Sequence, residues 1–311
     1  MKASIRSFLK KIFPKTIFFL ITSKPKLRFV DSKTAIISRW NWKMILQGDH
    51  HRGSCELYLK RKYSHIIDKG LQAPDAAPGH GAAIAHELSR LNQIHTSCDK
   101  ELEDWSRRIE RDYYDFQHTG VLPPVYSPPY DTASVAVDTL IATIKSRRSI
   151  RAFREDPVPS DLLETIFGVL NWAPNSCNRQ AIKSTYVSGD VHKIKSLMAL
   201  NSGATCMDVA PVFACITFDS RGLILPTERE VAYLDAGLGL QNAILAAHAI
   251  GIGSCVLNWT HAKPSDEIKL RELLGLDDYQ IVVANMVLGY PRKGAFPPPR
   301  ADVSDYLKRV C

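Results

Sequence analysis

Apolar residues along the second half of the chain fall into segments of two lengths and two spacings. The longer, with apolar positions three and four apart, read as helices. The shorter runs read as strands. The pattern predicts helices over 133–147 and 160–172, a strand over 184–188, a helix over 190–200 and a strand over 211–218. A long helix follows over 228–250, then a strand over 253–259, a helix over 264–274, a strand over 279–288 and a tail. Helices and strands interleave, so the class is α/β or α+β, with helices flanking one sheet. Upstream, 56–72 and 84–118 read as helices joined by the Pro/Gly turn segment QAPDAAPGHG. The charged run DKELEDWSRRIERDYYDF in the second of these reads as a solvated helix face. TGVLPPVYSPPYDT (119–132) holds four prolines in two pairs, a linker signature. The expected division is a largely helical N-terminal extension over 1–130 and a second domain over 131–311.

Charge changes the picture of the first segment only. The net charge is +8, but residues 1–62 carry fifteen Lys and Arg against Asp31, Asp49 and Glu56, a local charge of +12. The other 249 residues hold 25 basic and 29 acidic groups. Basicity therefore belongs to an arm, which argues against a nucleic-acid binder. In that arm basic residues alternate with Phe, Ile and Leu, a pattern suited to an anionic membrane surface, to a partner, or to folding onto its own protein. The apolar run IFFLI (17–21) is too short to span a bilayer, and Pro14 and Lys15 interrupt any signal-peptide pattern. Seven Cys at 55, 98, 177, 206, 215, 255 and 311 show no framework spacing, as expected of reduced thiols in a cytoplasmic setting. GDHHRGSC brings His50, His51 and Cys55 together in a spacing that fits no common metal-ligand set.

Four stretches carry candidate chemistry. SRRSIRAFR (146–154) crowds Arg147, Arg148, Ser149, Arg151 and Arg154 after a helix, and arginine forks match phosphate geometry. APNSCNRQ (173–180) sets short amides and hydroxyls at a helix end, either a plain polar turn or a loop that reads a flat, heteroatom-rich ligand. DAGLGLQNAILAAHAIGIGSCVLNW is a helix rich in Ala and Gly, open to close approach of another backbone. It turns through Gly251 and Gly253 into a short apolar strand. Its GLGLQN lies inside a helix pattern and is no dinucleotide fingerprint. LGYPRKGAFPPPR ends in Arg300 after a proline-stiffened tail.

In this order the four stretches resemble the nitroreductase family of flavoproteins over residues 138–301. RRSIRAF resembles the family's opening arginine–serine motif, and APNSCNRQ its Pro-Ser-x-x-Asn-x-Gln loop. HIIDKGLQAPDAAPGHG is similar to N-terminal regions attached to some members in polysaccharide gene clusters. The resemblance implies an α+β nitroreductase-like sandwich, a mixed or antiparallel sheet flanked by helices, with FMN bound at a homodimer interface. Arg147, Arg148, Ser149 and Arg151 would hold the phosphate and one ring edge, and Arg300 would close on the phosphate. Pro174, Asn175, Ser176 and Asn178 would reach the same flavin from the other subunit, with Gln180 bracing the loop. Backbone N–H groups near Leu257 and Asn258 would sit by flavin N5.

The implied activity is transfer of hydride from NADH or NADPH through N5 to a small-molecule acceptor, with no catalytic side chain and no metal. Cys177 reads as a small buried hydrophobe. Departures from the family pattern are Gln180-Ala181-Ile182 for Gln-Pro-Trp, Asn175 where Ser is usual, and Pro298 where some members carry a basic residue. Two alternatives stand beside this reading. One is specialised flavin-dependent redox chemistry, such as dehydrogenation, on a biosynthetic substrate; the other is a non-catalytic scaffold of the same fold.

Overall fold

The computed structural model describes residues 52–73, 76–94, 99–124, 136–204, 207–223, 228–259 and 262–310. Residues 1–51, with most of the basic arm, the His50–Cys55 segment's side chains and the linker residues 125–135 lie outside this set. All described residues fall in one compact unit. Among the described residues there are eight α-helices: α1 (Arg52–Leu71), α2 (Ala82–Gln93), α3 (Lys100–Thr119), α4 (Val137–Ser146), α5 (Ser160–Gly168), α6 (Val191–Ala199), α7 (Arg229–Ala249) and α8 (Pro264–Leu274). The strands are β1 (Ile182–Ser188), β2 (Val212–Asp219), β3 (Gly253–Asn258) and β4 (Gln280–Gly289). They form one sheet in the order β1-β2-β4-β3, and all three pairings are antiparallel.

The expectation of an α+β sandwich holds, and the run lengths explain it. β2 reads VFACITFD and is buried at every position. Val212, Ala214 and Ile216 pack with α5 and α7 through Leu163, Ile166, Ala236, Leu240 and Ala243. Phe213 and Cys215 point the other way, against Ile194 and Leu197 of α6 and Leu270 of α8. A strand sandwiched between two helical layers has no solvent face, so apolar residues occupy consecutive positions from Val212 to Ile216. The helix α7 crosses the first layer. A Cβ at Gly239 would lie 2.5 Å from the Leu170 carbonyl oxygen, so the close backbone approach expected of this Gly/Ala-rich helix is realised, against residues 170–172.

Three expectations need correction. The helix expected over 84–118 is two helices, α2 and α3. Asp99 starts the second, its carboxylate accepting from the Leu102 N–H at 3.1 Å, a side-chain cap that begins a new helix. Nor is α3 a solvated face. Leu102, Ile109, Tyr113 and Phe116 are buried, and the last three join Ile67, Leu71 and Leu88 in a core shared by α1, α2 and α3. Most charged residues of the run lie on the outer side, but Asp112 is buried and Glu103 pairs with the buried Lys60. The helix expected over 160–172 ends as an α-helix at Gly168 and continues as a single 3₁₀ turn, Leu170–Trp172.

Candidate functional site

The arginine segment is fixed by backbone. Ile150 N–H donates to Ser254 O at 3.0 Å, Arg154 N–H to Tyr290 O at 2.9 Å and Arg292 N–H to Ala152 O at 2.9 Å. Residues 149–154 thus run as an extended strip along the start of β3 and the end of β4. Ile150 and Phe153 turn into the core, which leaves Arg151 exposed. Gly253 makes the fit possible, because a Cβ there would meet Ile150 at 2.8 Å. Ser149, Arg151 and Arg147 surround the Cys255 thiol. Burial pushes that thiol's pKa up; Arg151, a hydrogen bond with Ser149 and then Arg147 oppose the rise. Arg147 and Arg148 also line a cavity of about 330 Å³ with Ser146, His248, Gly253, Ser254, Pro291 and Gly294. Among the described residues Arg147, Arg148, Arg151 and Arg300 form no ion pair. Arg148 instead folds back on the carbonyls of Lys145 and Arg147, at 2.6 and 2.7 Å, at the C-terminus of α4.

The 173–180 loop is built differently. Cys177, Asn178 and Gln180 all adopt positive φ, at 56°, 51° and 55°. Non-glycine residues seldom do so, and such clusters persist only where surrounding contacts dictate them. Here the contacts are the loop's own polar groups. Asn175 Oδ1 accepts from Gln180 N–H at 2.9 Å and its Nδ2 donates to Ala173 O at 3.1 Å. Gln180 Nε2 donates to Asn178 Oδ1 at 3.1 Å, the bracing role expected of it. Ser176 donates from N and Oγ to Asp235 of α7, at 3.0 and 3.3 Å. Burial raises the Asp235 pKa, against the two Ser176 hydrogen bonds and the charge of Arg179. Arg179 is 2% exposed and ion-pairs with Glu228. Cys177 is half-buried rather than fully buried as expected. Pro174 is exposed and Trp172, at the loop's entry, is 83% exposed.

The expected residues therefore gather in two places. Arg147, Arg148, Ser149 and Arg151 come together. Pro174, Asn175, Ser176 and Asn178 form the second group, anchored at Asp235 near the start of α7. His248, whose Nε2 lies 2.8 Å from Ser146 Oγ in the first group, is near its end. Thirteen residues of helix place these anchors roughly 20 Å apart. Leu257 and Asn258 lie farther along β3 from Ser254, the former buried and the latter exposed. Arg300 stands on the exposed tail 291–310. Sequence reasoning gave no role to Asp235 or His248, although both lie in the quoted helix; an acid at the polar start of a Gly/Ala-rich helix was the available signal for the first.

Residues 144–290 match the model of the Nitroreductase family. The chain is similar to FMN reductase (NAD(P)H) of Bacillus subtilis, 27% identical over 179 residues that cover 53% of this chain and 70% of the relative. It is also similar to NADPH-flavin oxidoreductase of Vibrio harveyi, 26% identical over 173 residues, with 53% and 70% covered. Among solved structures, a nitroreductase-like protein from Streptococcus mutans superposes with a TM-score of 0.50 at 16% identity, over 56% of this chain and 99% of that one. That likeness concerns the fold.

Proposed function

We propose, since residues 144–290 match the model of the Nitroreductase family, that the protein is an FMN-dependent NAD(P)H oxidoreductase, with its flavin sites shared between the two chains of a homodimer. One observation carries the shared site: the arginine cluster and the 173–180 loop lie at opposite ends of α7 in one chain. A second copy would bring the loop of one chain to the arginines of the other. Apolar surface supports this arrangement. Among the described residues none of α4 is buried, and Val137, Leu140, Ile141 and Ile144 are exposed at helical spacing. Tyr233, Leu234 and Leu238 of the adjoining α7 are exposed as well. Contiguous apolar faces of this kind mark association surfaces.

The residues suit FMN. Arg147 and Arg151, without acidic partners among the described residues, supply cationic forks for a phosphate dianion beside the Ser149 hydroxyl. The loop offers a fixed polar edge to the heteroatoms of a flavin ring. Bound flavin supplies the hydride chemistry, accepting from NADH or NADPH and donating to an acceptor. The chain's part is to bind, orient and exclude water; no side chain is assigned as acid, base or nucleophile. Arg300 on the tail, and the backbone of Leu257 and Asn258, complete the proposed binding set. In this reading 131–311 is the flavin-binding domain and 1–130 an extension of it. The sequences named FMN reductase and NADPH-flavin oxidoreductase support the donor and cofactor.

Mixed dimers test the proposal. Arg147→Glu and Asn178→Asp are each expected to abolish flavin uptake in the homodimer. Co-expressed with different tags, the two variants should return close to half the wild-type flavin per dimer, because one site then collects both defects and the other neither. No recovery would place both motifs at a site within one chain. Absence of FMN uptake by the wild type would reject the cofactor itself.

A further inference from the structure

Beside its packing on α2 and α3, α1 reaches the residues that end the 173–180 loop through three side chains, Tyr58, Arg61 and Lys62. Arg61 Nη1 donates to the Arg179 carbonyl oxygen at 3.4 Å, while its Nη2 ion-pairs with Asp99, the residue that caps α3, at 3.0 Å. Lys62 Nζ lies 3.6 Å from Glu228, the same carboxylate that holds the Arg179 guanidinium. Tyr58 donates its hydroxyl to Asp219 at 2.7 Å, and Asp219 N–H donates to Ala181 O at 2.8 Å. Asp219 is fixed in turn by Arg221, through Nε at 2.9 Å and Nη2 at 2.6 Å. Burial and then Asp219 push the Tyr58 pKa above the ordinary tyrosine range, so its hydroxyl stays a donor. The Tyr58 ring packs with Ala181, Phe218 and Leu223. Arg179 and Ala181 flank Gln180, the last of the three left-handed residues.

We propose that α1 is a positioning element for this loop, and that flavin retention depends on Tyr58, Arg61 and Lys62 although none of them belongs to the flavin site. The inference rests on the FMN reading above. Its physical basis is the cost of the loop's shape. Three left-handed non-glycine residues are strained. Arg179 adds to this: it is 2% exposed, and its Nε and Nη1 have no hydrogen-bond partner among the described residues. A buried guanidinium so incompletely satisfied is costly. Such a conformation survives only where neighbours over-determine it. The Asp235 anchor holds the loop's front at Ser176, and α1 holds its end. Without α1 the end of the loop would relax, and its preorganised edge for a ligand would be lost.

Trypsin and FMN read the two halves of this claim separately, because the Arg179–Gln180 bond is itself a tryptic site. The full chain is compared with Tyr58→Phe, Arg61→Met, Lys62→Met and the conservative Arg61→Lys. Arg90→Met on α2 serves as a control that breaks an exposed pair with Glu87. Cleavage after Arg179, followed by mass spectrometry, should be slow in the wild type. It should be roughly tenfold faster in Arg61→Met and Lys62→Met, with FMN affinity roughly tenfold weaker, the scale of one lost charge-assisted bond. Arg61→Lys should recover part of both effects, and the control should change neither. Tyr58→Phe keeps the packed ring and deletes one hydroxyl, so it carries the test if the charge variants fold poorly. Wild-type FMN affinity in Tyr58→Phe, Arg61→Met and Lys62→Met overturns the inference while the FMN reading stands. No FMN uptake by the wild type overturns the reading and the inference with it.

Discussion

In the segment from Arg147 to Arg151 backbone pairing sets the shape, with Arg151 exposed and Arg147 and Arg148 half-buried. The backbone is pinned to Ser254, the apolar residues turn inward, and none of the guanidiniums forms an ion pair among the described residues. In the loop from Ala173 to Gln180 the polar groups are turned in. Asn175, Ser176, Asn178 and Gln180 all make hydrogen bonds to the loop or to Asp235. Both stretches read alike in sequence, as polar residues after a helix, yet they use polarity in opposite ways. The first takes its shape from strand-like pairing and leaves its guanidiniums without ion pairs among the described residues. The second, with no strand beside it, uses its side chains to make the shape. Affinity should therefore be lost without stability in the first region, and both should fall together in the second.

The sharpest test of that contrast is the double variant Arg147→Ala/Arg151→Ala. Two charge-assisted phosphate contacts are worth roughly 3–6 kcal/mol, a loss of at least 100-fold in FMN affinity. The melting temperature of the flavin-free protein should not move. Titration and calorimetry check both, and a large loss of stability would show that the cluster is structural. Next in size is Asp235→Ala. It strands the Ser176 N–H and hydroxyl, at a cost of about 2–3 kcal/mol in stability, and FMN affinity should fall with it. Stability unchanged by Asp235→Ala would erase the distinction between the regions.

Asp235 also gives a pH signature. Because burial raises its pKa, the folded chain holds this proton more tightly than the unfolded chain does. The wild type should therefore lose stability relative to Asp235→Asn as pH rises from about 4, the ordinary carboxylate value, through the raised one. Denaturant titrations of both proteins across that window measure the difference, and parallel curves would contradict it.

Smaller effects separate backbone from side chain within the loop. Asn178→Val forces a β-branched residue into the left-handed region and should cost about 1–2 kcal/mol. Gln180→Gly, which fits that region freely, should change stability by less than about 1 kcal/mol. Equal effects would mean that φ is not what shapes the loop. Smallest in energy is a labelling order. Half-buried Cys177 should be alkylated before buried Cys255 and Cys215, and FMN should protect Cys177 first. Peptide mapping that finds Cys255 labelled first would place the accessible thiol under the arginines instead.

Periodicity made the elements legible, since the side-chain spacing of a helix or strand is a local property. The apolar run at 211–218 predicts a strand, and β2 spans Val212–Asp219. The Ala and Gly of α7 predict close contact, and Gly239 meets the Leu170 backbone. The arginine cluster was legible for the same reason, because four of its members are adjacent in the chain. The division of the 84–118 helix was missed, since one Asp cap is a weak signal inside a charged run.

What only the tertiary structure decided are the partnerships across long separations. Asp235 meets Ser176 across 59 positions, and Ser146 meets His248 across 102. Tyr58 meets Asp219 across 161. The sheet order β1-β2-β4-β3 is of the same kind. Residue type announces that a buried carboxylate or hydroxyl must find a partner. Which partner it finds depends on how the packed layers bring distant segments together, and no local pattern encodes that choice.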